Sequence, residues 1–168
     1  PAIEILSKEH IFVMNDLRAS TQDIRPLKIA ILNLMPLKIT TETDLIRLLS
    51  NSPLQIEIDF VQLETHFPKN TPIEHLLEFY KPFSSIRNNF YDGFIVTGAP
   101  VELLPFEKVN YWQELTDIFN WARTHVTSTF YICWAAQAAM FHFFGINKYP
   151  LEKKLFGVFK HKINDPSF

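Results

Sequence analysis

Short apolar runs alternate with segments of helical spacing along most of this chain. Residues 28–34 and 92–97 are mostly apolar, which is typical of central strands in a parallel sheet that is covered on both faces. Residues 54–60 alternate apolar and polar side chains, which predicts a half-exposed strand nearer the sheet edge. Residues 127–132 are predicted as another buried strand. Together with the helices between them, these strands predict a doubly wound, mainly parallel α/β fold with right-handed crossovers.

The predicted helices lie between these strands. We expect Thr41 to cap the first, with Asp44 in its first turn and with Leu45, Leu48 and Leu49 on one face. Further helices are predicted over 73–80, around 112–122 and from 134 to the stop at Gly145. Residues 1–27 have weak periodicity and are interpreted as an N-terminal arm, which leaves 28–168 as the α/β part. A late apolar run at 155–159 is compatible with one more strand.

Composition and charge narrow the function classes. The chain has 168 residues, of which 47% are hydrophobic, and this content excludes disorder. Its 16 basic and 18 acidic residues form no stripe for a phosphate backbone, so nucleic acid is not an expected partner. No apolar run reaches the ~18 residues of a membrane span, and a single cysteine makes no internal disulfide. We therefore expect a cytoplasmic protein that binds neither membrane nor nucleic acid.

The single cysteine is the strongest chemical signal. Cys133 stands where the predicted strand 127–132 runs into a helix, which is the geometry of a nucleophile elbow. The positive end of that helix favours a thiolate there. Ligands of doubly wound sheets bind beyond the carboxyl ends of the strands, where segments 35–38, 98–102 and 133–134 are expected to meet. The alternative interpretation of Cys133 is a small buried hydrophobic residue.

A cysteine nucleophile also needs a base, usually a histidine. His125 precedes the strand to Cys133 by eight residues, which places it near the opposite end of the sheet. His142 lies nine residues into the following helix, roughly 13 Å along its axis. The remaining histidines occupy segments that the pattern does not place: His10, His66, His75 and His161. The residues alone thus indicate a nucleophile without a base.

Six segments carry a resemblance to a known family: 25–28, 31–36, 48–55, 96–100, 126–129 and 133–137. They closely resemble the homoserine O-acyltransferases of the homoserine transsuccinylase type. The resemblance implies a flavodoxin-like fold similar to that of class I glutamine amidotransferases. It also implies ping-pong transfer of an acyl group from acyl-CoA to the hydroxyl of L-homoserine, an early step of methionine biosynthesis, with no metal or cofactor besides the co-substrate.

The resemblance also implies roles for five residues. Cys133 matches the nucleophile that forms the acyl thioester. Trp134, through its backbone N–H, and Lys38 match the oxyanion hole. Lys154 matches a lysine that binds the amino-acid substrate. Glu102 stands where succinyl-CoA users have glycine, so its bulk and charge favour acetyl-CoA. Without the family, the lysines are interpreted as solvated surface residues and Glu102 as an exposed loop residue.

Several alternatives remain open at this point. The histidine and glutamate that complete the family's catalytic triad are expected beyond Phe168, so the 168-residue chain alone is expected to be close to inactive. The favoured hypothesis is a homoserine O-acetyltransferase. The alternatives are an L-serine O-acetyltransferase, a homoserine O-succinyltransferase and a non-catalytic binding half-domain, while amidotransferase chemistry is a weaker option. The family implies a homodimer, for which the aromatic content of 14% could supply an apolar interface.

Overall fold

Five parallel strands form a single sheet in the computed structural model, which describes residues 2–13, 21, 25–68, 70–153 and 155–162. The strands are β1 (Leu27–Leu32), β2 (Ile56–Gln62), β3 (Tyr80–Pro82), β4 (Tyr91–Val96) and β5 (Val126–Tyr131). Their order across the sheet is β3-β2-β1-β4-β5, and every neighbouring pair is parallel. The predicted doubly wound, parallel α/β architecture is therefore confirmed.

Six α-helices are described along the chain. They are α1 (Ala2–Lys8), α2 (Lys38–Leu49), α3 (Ile73–Phe79), α4 (Phe83–Ile86), α5 (Trp112–His125) and α6 (Trp134–Phe144), and a 3₁₀ turn covers Phe106–Lys108. Among the described residues, no helix has the length and apolar character needed to cross a bilayer. The stop predicted at Gly145 is confirmed, because this glycine ends α6 in the left-handed conformation at φ 67°.

The core lies around the two central strands. Leu32 of β1 and Val96 of β4 are fully buried and stand opposite each other in the parallel register. Leu115 and Phe119 of α5 pack into the same cluster, as does Ala138 of α6. Apolar side chains on both faces of β1 and β4 thus fix where these strands end, and the site residues follow directly after those ends.

Residues of the predicted N-terminal arm are anchored at two places. Leu6 of α1 is fully buried, and Glu9 pairs with Arg47 of α2 at 2.5 Å. Arg25 forms a bidentate pair with Asp92 at 2.8 and 2.9 Å. Together with the Lys28 backbone N–H, this guanidinium lowers the pKa of Asp92 to about 2. The division of the chain at residue 27 stays a prediction.

The prediction of Thr41 as the cap of α2 is wrong, and the buried residues of this helix are polar. The helix begins at Lys38, and Thr41 lies inside it, where its hydroxyl donates to the Leu37 carbonyl at 3.1 Å instead of capping. Leu48 is 73% exposed, whereas the buried positions of α2 are polar or charged, among them Lys38 and Glu42. The helix therefore turns a polar face toward the sheet, which hydrophobic spacing alone does not anticipate.

Two further segments differ from the expectation. β5 is the outer strand of the described sheet, and most of its residues are exposed, with Phe130 at 64%. The expectation of a buried strand is wrong because β5 pairs with β4 on one side, and nothing in the described part of the chain covers its other side. Residues 155–159 form no strand and are exposed.

Candidate active site

The candidate nucleophile lies in a strained turn between β5 and α6. Cys133 has φ 55° and ψ −119° and immediately precedes the first residue of α6. A residue other than glycine in this region carries strain of the kind that clusters at functional sites. The thiol is exposed, so the interpretation of Cys133 as a buried hydrophobic residue is wrong. The strand-to-helix elbow predicted from the sequence is present.

Gly98 gives the elbow the space it needs. A Cβ placed on Gly98 would lie 3.1 Å from Cβ and 3.5 Å from Sγ of Cys133. The backbones on either side continue the sheet pairing, because Ile132 N–H donates to Val96 O at 2.9 Å. Glycine therefore lets the turn after β4 approach Cys133 closely, and any larger residue at position 98 would be crowded against the cysteine side chain. The sequence placed Gly98 at the same edge of the sheet without assigning it this role.

The backbone N–H groups beside the thiol differ in their hydrogen-bond partners. At the start of α6, the Ala135 N–H donates to Ile132 O at 3.1 Å, and the Ala136 N–H donates to Cys133 O. The Trp134 N–H has no backbone acceptor within the described part of the chain. Amides in the first turn of a helix lack partners within that helix and attract negative charge. The Trp134 side chain is almost fully buried, which fixes this peptide in place.

Lys38 is buried at the start of α2, with 6% of its surface exposed. The interpretation as a solvated surface lysine is therefore wrong. Its ammonium donates to the Asn33 carbonyl and stands 5.2 Å from the centroid of the Tyr80 ring. Burial lowers the pKa of Lys38 to about 8, and the charge of Glu42 acts in the opposite direction.

A buried polar network surrounds this lysine, and we use that name for Asn33, Lys38, Glu42, His75 and Tyr80. Asn33 Nδ2 donates to the Tyr80 hydroxyl at 2.9 Å, and that hydroxyl donates to Glu42 Oε1 at 2.5 Å. His75 Nε2 lies 2.8 Å from Glu42 Oε2. Burial and the Glu42 carboxylate raise the pKa of Tyr80 far above its ordinary value, so the phenol keeps its proton.

A cavity of about 240 Å³ opens beside the network at the carboxyl edge of the sheet. Its walls come from the loops after β1, β2 and β4 and from the start of α5; they include Met35, Pro36, Lys38, Leu63, His66, Pro100, Val101 and Tyr111. Two of the three predicted loops thus share the cavity, and Gly98 connects them to the third at Cys133. Among the described residues, no hydrogen bond joins Lys38 to Cys133, so the oxyanion role of Lys38 stays a prediction.

The histidines lie in distinct surroundings. His75 belongs to the buried polar network, and His66 lines the cavity, 5.1 Å from the Tyr111 ring. His125 stacks on Phe90 at the other end of β5, as the strand length predicted. Within the described ranges, no histidine forms a hydrogen bond with the Cys133 thiol. The structure therefore gives Cys133 no histidine base from these residues.

Glu102 is exposed on the turn that follows the cavity wall at Val101. Lys148, from the segment after α6, donates to the backbone carbonyls of Glu102 and Leu104 at 2.5 and 2.6 Å. The sequence did not single out Lys148, and no local pattern reveals a contact between residues so far apart. Lys154 lies outside the described residues, so its substrate-binding role stays a prediction.

The buried ammonium of Lys38 should give the protein a specific dependence of stability on pH. Its folded pKa of about 8 lies below its unfolded value of 10.5, so between these values the unfolded chain binds more protons. The free-energy cost of burying the charged ammonium is therefore fully present below pH 8, and it disappears as the pH rises toward 10.5. We expect the contribution of Lys38 to the free energy of unfolding to rise by roughly 3 kcal/mol across that range.

Urea denaturation at several pH values measures this effect. Lys38→Met should remove the rise, whereas Lys108→Met, at an exposed lysine of the 3₁₀ turn, should retain it. An identical pH dependence in the parent protein and in Lys38→Met would show that the ammonium is not desolvated.

Comparison with known proteins identifies the family and several relatives of this chain. A family model described as homoserine O-succinyltransferase matches residues 1–168. A homoserine O-acetyltransferase of Parabacteroides distasonis is 68% identical over 99% of this chain and 54% of its own length. Enzymes with the same name from Phocaeicola vulgatus and Thermotoga petrophila are 66% and 60% identical, over 98% and 97% of this chain and 54% of each relative. The chain thus spans about half the length of the curated relatives that it matches.

Proposed function

Since this chain belongs to the homoserine O-succinyltransferase family, we propose that the whole protein is a homoserine O-acetyltransferase. It moves an acetyl group from acetyl-CoA to the hydroxyl of L-homoserine through a thioester on Cys133. The observation that carries this proposal is the exposed, left-handed Cys133 at the start of α6. The acetyltransferase names of relatives at 60–68% identity support the choice of acyl group.

The proposed reaction has two steps. The Cys133 thiolate attacks the acetyl carbonyl, so the C–S bond to Cys133 forms and the C–S bond to CoA breaks. CoA leaves as a thiol after it takes up a proton from a general acid. The homoserine hydroxyl then attacks the thioester, loses its proton, and releases Cys133. Both steps pass through an oxyanion, which the Trp134 N–H and the Lys38 ammonium are proposed to stabilise. Donors directed at such an oxyanion are each worth roughly 3 kcal/mol.

The base for both steps is proposed to come from outside the described residues. Within the described ranges, no hydrogen bond joins a histidine to Cys133. The resemblance implies a catalytic histidine and a catalytic glutamate, and neither lies in the motifs that match the family. General acid–base groups of this kind contribute typically ~10²–10⁴-fold to the rate. Lys154 is proposed to bind the carboxylate of the amino-acid substrate.

Glu102 is proposed to select the acyl donor. Replacing Glu102 by glycine removes the bulk and the charge that would oppose a succinyl carboxylate, and leaves the nucleophile unchanged. We expect kcat/KM of the whole protein to rise for succinyl-CoA and fall for acetyl-CoA. A tenfold change in the ratio corresponds to about 1.4 kcal/mol.

A matched variant makes this experiment specific. Glu107→Ala removes one negative charge from the neighbouring 3₁₀ turn, and it should leave the ratio between donors unchanged. The assignment fails if the parent protein already prefers succinyl-CoA, which would favour the activity in the family's own description. It also fails if Glu102→Gly alters both donors by one factor.

The acceptor, the compartment and the assembly are further parts of this proposal. Turnover with L-homoserine, L-serine and glutamine in turn distinguishes the proposed acceptor from its alternatives, and the absence of turnover with each would favour a binding protein. On the basis of the resemblance, the reaction is proposed to belong to methionine biosynthesis. A cytoplasmic homodimer is proposed on the same resemblance, and the mass of the whole protein in solution tests the dimer.

A further inference from the structure

The proposed chemistry leaves one buried carboxylate unexplained. Glu42 is 5% exposed and lies one turn after Lys38 on α2, so both side chains occupy the same face of the helix. Removing a carboxylate from water is costly, and buried ionic groups contribute little net stability. A contribution to stability therefore does not explain why a carboxylate is buried at this position. The neighbouring Lys38 offers another explanation.

We propose that Glu42 is a positioning residue for Lys38. Its carboxylate, held in place by Tyr80 and His75, keeps the lysine ammonium charged and fixed at the carboxyl edge of the sheet. The inference rests on the proposed acyl transfer, in which that ammonium stabilises the oxyanion. It adds a residue whose role is electrostatic and which does not touch the substrate.

The geometry fixes the Glu42 carboxylate from two sides. Oε1 accepts the Tyr80 hydroxyl at 2.5 Å, and Oε2 lies 2.8 Å from His75 Nε2. These partners come from β3 and α3, which are separated from α2 along the chain. A carboxylate held by two hydrogen bonds has little freedom to rotate, so its charge stays at a constant place relative to the lysine.

The same network returns to the lysine through Asn33. Asn33 Nδ2 donates to Tyr80 at 2.9 Å and also to the Lys38 backbone carbonyl at 3.3 Å. The Asn33 backbone carbonyl accepts the Lys38 ammonium. Lys38 is therefore held at its backbone and at its tip by one residue, whose side chain is in turn fixed through Tyr80 to Glu42. The arrangement orients the lysine as well as its charge.

The charged and titratable groups around Lys38 decide the sign of the effect. Glu42 lies four residues after Lys38 on α2, the Tyr80 ring of β3 is 5.2 Å from the ammonium, and His75 of α3 contacts Glu42, while His66 and Tyr111 line the cavity side. Within the buried polar network, Glu42 is the single carboxylate. Burial lowers the pKa of Lys38, and Glu42 opposes this shift. Without the carboxylate, the ammonium should lose its proton at a lower pH.

Titration of Lys38 in the whole protein tests the inference without depending on activity. With lysine labelled by carbon-13 at the ε position, the Lys38 resonance is assigned by its loss in Lys38→Met. We expect Glu42→Gln to lower the midpoint of that titration by about one pH unit. The pH above which acyl-enzyme formation declines should fall by the same amount.

Two variants keep the test specific. Glu78→Gln makes the same chemical change on the exposed surface of α3 and should leave the titration of Lys38 in place. Glu42→Asp retains the charge, so its midpoint should lie closer to that of the parent protein than the midpoint of Glu42→Gln does. If Glu42→Gln fails to fold, Glu42→Asp alone tests the inference. Its shorter side chain moves the carboxylate away from Lys38, so the Lys38 midpoint should still fall by a measurable part of one pH unit.

The outcomes separate the two proposals. A Lys38 midpoint that stays the same in Glu42→Gln, or in a folded Glu42→Asp when the glutamine variant does not fold, overturns the positioning role. That result leaves the proposed acyl transfer standing. No acyl-enzyme in the parent protein, with a shifted midpoint in Glu42→Gln, overturns the acyl transfer and retains the electrostatic coupling between Glu42 and Lys38.

Discussion

Cys133→Ala should abolish acyl transfer by the whole protein and leave no covalent acyl-enzyme. The variant removes the sulfur that forms the proposed thioester, and loss of a nucleophile commonly lowers kcat by at least ~10⁴-fold. Intact-mass spectrometry after mixing with acetyl-CoA detects the adduct in the parent protein and its absence in the variant. Because alanine keeps the backbone restrictions of cysteine at φ 55°, the fold should be retained.

A thermal unfolding curve serves as the control for this experiment. Cys133→Ala should unfold near the temperature of the parent protein, which separates loss of chemistry from loss of structure. An adduct that persists in Cys133→Ala would place the acyl group on another side chain and would contradict the proposed mechanism. An adduct on Cys133→Ser with slow turnover would agree with it, since an oxygen nucleophile occupies the same position.

Gly98→Val should slow the reaction of Cys133 by roughly 10²-fold, because a displacement of about 1 Å at a reacting group has effects of that size. A Cβ at residue 98 would lie 3.1 Å from Cβ of Cys133 and 3.6 Å from the Ile132 carbonyl oxygen, and valine adds two methyl groups there. Overpacking at such a place also lowers the free energy of unfolding by ~1–3 kcal/mol. The rate of thiol alkylation and the rate of acyl-enzyme formation both measure the displacement.

Gly93, within β4, provides the matched control for Gly98 in the turn after that strand. A Cβ at Gly93 would meet side-chain atoms of Ile29 at 3.5 to 3.8 Å, which is ordinary van der Waals contact. Gly93→Ala should therefore leave the reactivity of Cys133 unchanged, whereas Gly98→Ala should lower it less than valine does. Equal reactivity in the parent protein, Gly98→Ala and Gly98→Val would show that the elbow does not depend on the glycine.

The parts of this fold that were predictable from sequence are those fixed by local pattern. The apolar runs located β1 and β4, and Gly145 marked the end of α6 because a left-handed residue there favours glycine. The elbow at Cys133 followed from a strand that runs directly into a helix. Each of these features depends on residues that are close together along the chain, so it can be predicted from the local sequence pattern.

The rest depends on contacts between distant parts of the chain. Glu42 and His75 are 33 residues apart, and hydrophobic spacing grouped leucines on one face of α2 without revealing that Lys38 and Glu42 are buried. The exposure of β5 could not be predicted either, because a strand's own residues do not say what covers it. The resemblance singled out Lys38 for its chemistry, but the burial that changes its pKa became visible only in three dimensions.

The conformation of Cys133 also bears on how this chain can evolve. A non-glycine residue held at φ 55° costs of order 1–3 kcal/mol, which is a sizeable part of a typical margin of about 5–15 kcal/mol for a whole domain. Selection for activity would have to maintain this conformation despite its cost in stability. If Cys133 is the proposed nucleophile, a lineage that no longer needed it would gain stability by replacing it with glycine.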